Sequence, residues 1–332
     1  MLNRKVLIRI LLNSLLGVIL IFVWSRFVNL NELIKVLKTV DARFAVVFFF
    51  LFIISGVLRS LRLKLLLKHY KFSLKDLIML NYLSQFLSFL IPVRAGEIAK
   101  SVYLSTQMET SLSKTVVWVF IDRFLDFWIA VVFIGALLPF IKTNLPGGFI
   151  NIVILALVIF TLAFFVALKS EDLIKKIANF LSNFLVVSNI KKWFVTFTHN
   201  IAEGFEVLRR PPLGLAALIG LTVLATLSDS MVWIIAFRAF DFKLDVLRSV
   251  WADALTALTF LIPSAPGYVG SAEAAGAAVF TGILGLPINI VSAALVFFHI
   301  LTLLTILILG ITSLYLLKFD LGIVWKKLRS KD

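Results

Sequence analysis

Long apolar runs separated by short polar segments dominate this chain of 332 residues. Six runs are long enough, or nearly so, to cross about 30 Å of hydrocarbon, and they lie at 10–24, 43–58, 115–140, 149–168, 213–237 and 288–317. Two further apolar stretches, 74–91 and 246–262, end at turns rich in Pro and Gly. The pattern predicts an all-α, polytopic membrane protein with about six full transmembrane helices and two re-entrant, broken helical hairpins; eight full spans is the alternative count.

Composition supports a membrane protein. The chain is 61% hydrophobic and 15% charged, whereas soluble domains average roughly 45–50% apolar and about 25% charged residues. This balance rules out a soluble enzyme. A net charge of +15 suggests nucleic acid in a soluble protein, but in a membrane protein it indicates cytoplasmic loops beside anionic lipid, so no nucleic-acid partner is expected. The absence of cysteine excludes disulfides and thiolate metal sites, and we expect no metal or other cofactor.

The distribution of Lys and Arg predicts the orientation. With the N-terminus inside, the segments 1–9, 59–75, 169–210 and 318–332 hold 21 basic residues, against 8 in the segments outside. Both termini are therefore predicted to be cytoplasmic in a multi-pass protein of the cell (plasma) membrane. The polar insert 169–210 is typical of an amphipathic helical hairpin on the inner leaflet, although a solvated connector is an equal alternative.

An internal repeat connects the two broken hairpins. Phe-Leu-Ile-Pro at 89–92 recurs at 260–263, and glycine and glutamate follow each copy. The separation of Glu97 from Arg123 and that of Glu273 from His299 are both 26 positions. We predict one transmembrane domain, 1–332, that contains a first repeat at 1–140 and a second at 149–317. Three crossings separate corresponding points, so the second copy should be inverted, as in many transporters.

Ionisable residues inside spans cost roughly 2.5–3.5 kcal/mol each at a helix centre, so they are candidate binding groups. In the first copy, Gly96 follows Pro92 where a half-helix should begin, and its free N–H groups favour an anion. Arg94 and Arg123 could add donors for a phosphate, and Glu97 could orient an arginine or bind a cation. The alternative is a kink with an Arg–Glu pair inside the bundle. Asp122, Arg123 and Asp126 could equally form a self-neutralising cluster.

The second copy is less charged. Its turn contains four candidate turn residues, Pro263, Pro266, Gly267 and Gly270. Glu273 is either a partner for an arginine of the other half or a protonatable site. His299 could titrate near neutral pH or only pack, and Asp229 and Asp253 are weaker candidates of the same kind.

The chain resembles the lysylphosphatidylglycerol synthase transmembrane-region family, also described as flippase-like. The resemblance covers essentially the whole chain and rests on the segments 59–62, 92–97, 122–123 and 266–273. It implies two inverted re-entrant hairpins and the movement of aminoacylated phospholipid, or a related lipid, between leaflets. Lipid synthesis is not expected, since the chain ends at Asp332 without the soluble synthase domain, and His299 replaces the arginine expected from the first copy.

These patterns predict a flippase-like transporter for a lipid with an anionic or zwitterionic headgroup. Arg94, Arg123, Glu97, Glu273, Asp126 and His299 are the candidate headgroup-binding residues, and Arg59 and Arg62 of the basic segment 59–75 are candidates for recruiting lipid. Membrane lipids are the expected partners, and a homo-oligomer is possible. Without a nucleotide-binding motif, movement should be downhill or coupled to protons. The alternatives are a membrane transferase acting on lipid-linked substrates and a non-transporting membrane scaffold.

Overall fold

The computed structural model describes residues 40–91, 95–184, 211–259 and 266–319, with residues 188, 191, 194–196, 198–199 and 208. No β-strand occurs in these ranges, which agrees with the predicted all-α class. The predicted first span at 10–24 lies outside the described residues, as do Pro92, Arg94 and Pro263.

Ten α-helices, numbered in chain order among the described residues, build the fold. They are α1 (Ala42–Leu66), α2 (Leu74–Leu90), α3 (Ala95–Gln107), α4 (Leu112–Leu137), α5 (Gly147–Lys169), α6 (Glu171–Ser182), α7 (Pro212–Arg238), α8 (Val246–Thr259), α9 (Ser271–Ala277) and α10 (Ile288–Leu316). A short 3₁₀ turn follows α4 at Leu138–Phe140, another lies at Pro266–Tyr268, and a π-helical turn, Ala278–Ile283, continues α9.

The predicted spans within the described ranges all form helices. Three of these, α1, α7 and α10, are long and apolar enough to cross a membrane. The helix α4 has 26 residues, but Asp122, Arg123 and Asp126 interrupt its apolar sequence. The predicted hairpin arms at 74–91 and 246–262 correspond to α2 and α8.

The first described span is longer than predicted, which corrects the interpretation of the basic segment 59–75 as a loop. Helix α1 continues to Leu66, so Arg59 and Arg62 lie inside it rather than after it. Arg62 is fully buried, because aspartates of α4 neutralise it. A hydropathy pattern counts each arginine as a cost and cannot include a partner from another helix. Lys64 lies in the last turn of α1 as well, and removing these three basic residues from the loop count leaves the excess of basic residues on the same side.

The two halves have the same order of helices. A long helix (α1 or α7) precedes a hairpin (α2–α3 or α8–α9), and a second long helix follows (α4 or α10). Helices α1 and α7 pack against each other, α2 packs on α10, and α8 packs on α4. Each first hairpin arm thus packs against the last long helix of the other half. The largest apolar core lies mainly on the side of the second half and contains Phe48, Trp233, Phe237, Trp251, Phe280 and Phe297.

The part of the polar insert that the structure describes includes helix α6. Ser170 accepts a hydrogen bond from the Leu173 backbone and begins the helix, as expected for an N-cap serine. Glu171 and Lys175 form an ion pair of 2.6 Å one turn apart. Ile177 and Phe180 are exposed, so this helix mixes polar and exposed apolar side chains, as an amphipathic segment should.

Candidate functional site

A cavity of about 370 Å³ lies between the two halves. Side chains of α1, α2, α3, α4, α7, α8 and α10 line it, together with Tyr268 of the second turn. Its charged residues are Arg59, Glu97, Arg123, Asp126, Asp229 and Asp253, and its aromatic residues are Phe52, Phe89, Phe127, Trp233, Tyr268 and Phe298. Since ionisable groups are expensive in a membrane, their concentration around one cavity marks it as the candidate site.

The first hairpin contributes Glu97, which pairs with Arg123 of α4. Arg123 Nε lies 2.9 Å from Glu97 Oε1, and Arg123 Nη1 lies 3.3 Å from Asp126 Oδ2. Glu97 lies in the first turn of α3. Gly96 beside it has no space for a side chain, because a Cβ there would lie 1.7 Å from the Ser84 carbonyl oxygen. Arg123 therefore faces the first hairpin, and Gly96 lets the backbones of α2 and α3 approach closely.

Arg59 connects three helices across the cavity. Its Nη2 lies 2.6 Å from Asp229 Oδ2 of α7, and its Nε lies 3.6 Å from Asp126 Oδ1 of α4. Asp229, one of the weaker candidates, is therefore the carboxylate by which the second half holds an arginine of the first. Both cations that line the described cavity, Arg59 and Arg123, are paired with carboxylates.

A second layer of charges lies behind the cavity wall. Arg62 Nη2 lies 2.8 Å from Asp122 Oδ1, and Arg62 Nη1 lies 2.5 Å from Asp126 Oδ1. Lys100 Nζ of α3 lies 2.8 Å from Asp122 Oδ2. Arg62, Asp122 and Lys100 are all buried. Arg62 does not line the cavity, so in this structure it positions Asp126 rather than facing a ligand.

Asp253 differs from the other carboxylates of the cavity. Its oxygens accept hydrogen bonds from Trp233 Nε1 at 3.1 Å and from Ser230 Oγ at 3.2 Å. Within the part of the chain that the structure describes, no lysine or arginine forms an ion pair with it. The described cavity lining thus has four carboxylates and two arginines, which is an excess of acceptors.

A smaller cavity of about 40 Å³ adjoins the first and contains the second candidate pair. Glu273 Oε1 contacts Nδ1 of His299, and Glu273 Oε2 accepts a hydrogen bond of 2.8 Å from the backbone N–H of Gly270. His299 Nε2 lies 2.7 Å from the carbonyl oxygen of Gly267. Gly267 and Gly270 have φ values of 73° and 80°, a region that glycine adopts without strain. Glu273 therefore pairs within its own half, and no arginine among the described residues of the other half contacts it.

The structure brings most of the predicted site residues together. Arg59, Glu97, Arg123 and Asp126 line one cavity, and Glu273 and His299 line the adjoining one. Pro266 and Gly267 form the 3₁₀ turn beside the second pair. Lys100 was missed by the sequence reasoning; the available signal was a lysine in the segment after the first turn, three positions from Glu97. Asn81 was missed as well, and its Oδ1 lies 3.5 Å from Arg123 Nη2.

Long apolar helices around a charged internal cavity define a helical membrane protein. The family described as Lysylphosphatidylglycerol synthase TM region matches residues 8–310, and the chain belongs to this family. The predicted resemblance is thereby confirmed, and with it a membrane protein tied to lipid handling. A comparison with curated proteins found no match, and a comparison with solved structures found none either.

Proposed function

We propose that the protein moves a phospholipid, or a related lipid with an anionic or zwitterionic headgroup, between the two leaflets of the cell membrane. The family match supports lipid handling. The cavity supports headgroup binding, since about 370 Å³ falls in the range of roughly 300–1,000 Å³ that is usual for sites of small ligands. Its aromatic residues give it apolar walls, and its charged groups offer specific contacts.

The observation that carries this proposal is a set of polar atoms on the cavity wall without protein partners. Among the described residues, Ser88 Oγ, Thr302 Oγ1 and Glu97 Oε2 are buried and form no hydrogen bond, and all three residues line the cavity. Buried polar groups are normally satisfied, and each one left unpaired costs about 1–3 kcal/mol. A polar ligand in the cavity would satisfy them.

The charge balance favours a zwitterionic headgroup over a purely anionic one. Carboxylates outnumber arginines in the described lining, so a second anion alone would add repulsion. A headgroup with an ammonium and a phosphate offers each sign a partner, with the ammonium near Asp229 and the phosphate near Arg123 and Ser88. Arg123 retains donor groups for this purpose, because a guanidinium has five N–H donors.

The arrangement of the two halves supports alternating access. The halves share one helix order, and each packs its first hairpin arm on the last long helix of the other. Inverted repeats with broken helices that meet near the midplane allow one site to open to alternate sides. We propose this architecture here, with six full spans, two re-entrant hairpins and cytoplasmic termini, and we expect movement to be downhill or coupled to protons.

The test is leaflet exchange of labelled lipids in proteoliposomes. We expect acceleration for zwitterionic lipid, and a smaller effect or none for lipid with only a phosphate. Ser88→Ala and Thr302→Val should each lower the rate by at least about tenfold, since a hydrogen bond to a charged group is worth about 1.5–3 kcal/mol. These variants remove no hydrogen bond within the protein, so they should fold normally.

The matched control is Ser84→Ala. Ser84 lies one turn before Ser88 on α2, and its hydroxyl is likewise buried and unpartnered, but it does not line the cavity. Its loss should leave the rate unchanged. No acceleration with any headgroup would contradict transport, and consumption of an activated donor by the purified protein would favour the transferase alternative.

A further inference from the structure

The histidine of the second half has an oxygen atom at each ring nitrogen. His299 Nε2 lies 2.7 Å from the Gly267 carbonyl oxygen, and His299 Nδ1 contacts the carboxyl group of Glu273. A carbonyl oxygen only accepts hydrogen bonds, so Nε2 must carry a hydrogen. Rotating the ring by 180° would place C–H groups at both oxygens and lose both bonds.

The second contact needs another proton. If Nε2 carries the hydrogen of a neutral imidazole, Nδ1 has only a lone pair, which an ionised carboxylate repels. The contact between Nδ1 and Glu273 Oε1 forms when an imidazolium donates to the carboxylate or when a protonated Glu273 donates to the neutral ring. Both forms hold the same number of protons, which is one more than a carboxylate beside a neutral imidazole.

No fixed cation replaces this proton in the described surroundings. Glu273, His299 and Tyr268 are the only titratable residues in the described lining of the small cavity. The ring of Phe89 lies nearly perpendicular to that of His299, at 6.0 Å between centroids. Six charged residues of the neighbouring helices line the larger cavity instead: Arg59, Glu97, Arg123, Asp126, Asp229 and Asp253. Trp233 and Phe298 belong to the walls of both cavities and stand between the two sets of charges.

The corresponding pair of the first half cannot lose a proton in this way. Arg123 Nε lies 2.9 Å from Glu97 Oε1, and a guanidinium stays charged at every pH at which the protein folds. Both pairs join the helix after a hairpin turn to the next long helix, at the same spacing of 26 positions. One pair is therefore permanent and the other is conditional on a proton.

We propose that Glu273 and His299 form a proton-binding site, and that release of its proton loosens the second turn on α10. Release breaks the contact between Glu273 and His299, whereas the hydrogen bond from His299 Nε2 to the Gly267 carbonyl oxygen remains. On release the proton passes to water and leaves an ionised Glu273 beside a neutral His299 with its hydrogen on Nε2. The tie between Glu273 and α10 is then lost, while Gly270 still donates to Glu273. A coupling of this step to lipid movement rests on the proposed function, whereas the proton site itself does not.

The experiment uses cysteines, because the chain has none of its own. Val269→Cys places a thiol in the second turn, and Ala95→Cys places one beside the first turn. Each variant is placed in nanodiscs, and the rate at which a soluble maleimide labels it is measured as a function of pH. This rate is divided by the rate for the same variant unfolded in SDS, because the division removes the titration of the thiol itself. For Val269→Cys this ratio should rise about tenfold per pH unit across the titration, as linkage to one proton requires. For Ala95→Cys it should stay flat.

Two variants in the Val269→Cys background separate the proton from other causes. In Glu273→Gln the amide can donate to a neutral His299, and in His299→Arg the pair becomes permanent, so both should remove the pH dependence. A flat response of the parent, or an unchanged slope in Glu273→Gln, would overturn the proposal.

A direct measurement of the protonation of His299 in the parent protein tests the proposal even where the Glu273→Gln and His299→Arg variants fail to fold. The chain has three histidines, so the ¹⁵N signals of labelled His299 can be identified by their loss in His299→Gln. Both ring nitrogens should be protonated, or share the proton with Glu273, at low pH and convert to the neutral form over the pH range of the labelling change. A His299 ring that stays neutral over the whole pH range, without sharing a proton with Glu273, would also overturn the proposal. Neither measurement involves lipid transport, so failure of leaflet exchange with an intact titration would reject only the proposed function.

Discussion

The two halves use the same order of helices but different chemistry to hold it. In the first half, ion pairs join the two long helices, with Arg62 of α1 lying 2.8 Å from Asp122 of α4. In the second half, the rings of Trp233 on α7 and Phe298 on α10 stack at 3.8 Å and 4°. Asp122 and Phe298 occupy the same place relative to their hairpins, 25 positions after Glu97 and Glu273.

This difference shows which half can respond to its surroundings. Buried charges in the first half are costly to separate, because each partner left alone remains unpaired in a low-dielectric interior. In the described part of the second half, the contacts that α10 makes with the second hairpin and with α7 include the Glu273–His299 pair and the Trp233–Phe298 stack. Opening either contact leaves no permanent charge unpaired. We infer that the first half is the fixed support of the cavity and the second half is the part that changes.

The largest expected difference between the two halves is the side of the membrane from which each hairpin turn can be labelled. Single cysteines at Ala95 and Val269 should react with a membrane-impermeant reagent from opposite sides of sealed vesicles. An inverted repeat requires this all-or-none result, since it places an odd number of crossings between the two copies. Labelling of both positions from the same side would contradict the inverted repeat and the alternating access that depends on it.

The next largest effect concerns the buried ions of the first half. Asp122→Ala removes the shared partner of Arg62 and Lys100 and should lower the free energy of unfolding by about 3–5 kcal/mol, as expected when a buried pair loses one member. Reversible unfolding in mixed micelles with SDS measures it. The counterpart, Phe298→Leu, weakens an aromatic stack worth about 0.5–1.5 kcal/mol and should cost clearly less. Equal losses would contradict the distinction between the halves.

Much of the fold could be predicted from the sequence, because apolar runs and Pro/Gly turns are local signals. The predicted arms and spans within the described ranges are helices. The repeated spacing of 26 positions relates Glu97 to Arg123 and Glu273 to His299, and the members of each pair are in contact. The contact between Glu273 and His299 was not predicted. The predicted end of this span, residue 58, lies eight residues before the observed end of α1 at Leu66. Its arginines are stable inside the helix only because α4 and α7 supply carboxylates.

The remaining site features depend on contacts between distant segments. Lys100 and Asp122 are 22 positions apart, and Arg59 and Asp229 are 170 positions apart, and no periodicity along the chain connects them. The excess of carboxylates in the cavity likewise became visible only once Asp229 and Asp253 were placed on its wall. The predicted boundaries of the two repeats and the roles of the candidate residues in headgroup binding stay predictions.

The smallest expected effect compares how tightly the two hairpins pack. A Cβ at Gly96 would lie 1.7 Å from the backbone oxygen of Ser84, whereas one at Gly276 would lie 2.1 Å from Cδ2 of Leu295. Helix propensity favours alanine over glycine by about 0.5–1 kcal/mol at both positions. At Gly276 a flexible leucine can move aside, so Gly276→Ala should change the free energy of unfolding by less than about 1 kcal/mol.

At Gly96 the obstacle is backbone, so α2 and α3 must separate. Gly96→Ala should then cost about 1–3 kcal/mol in the same unfolding assay, and it should also lower the rate of leaflet exchange because Glu97 moves with its helix away from Arg123. Gly220→Ala on α7 is the control, since outside its own stretch of helix no atom lies within 4 Å of its Cβ position, and it should be neutral or slightly stabilising. A Gly96→Ala variant as stable as this control would mean that the first hairpin is as adaptable as the second, and the division into a fixed and a changing half would fail.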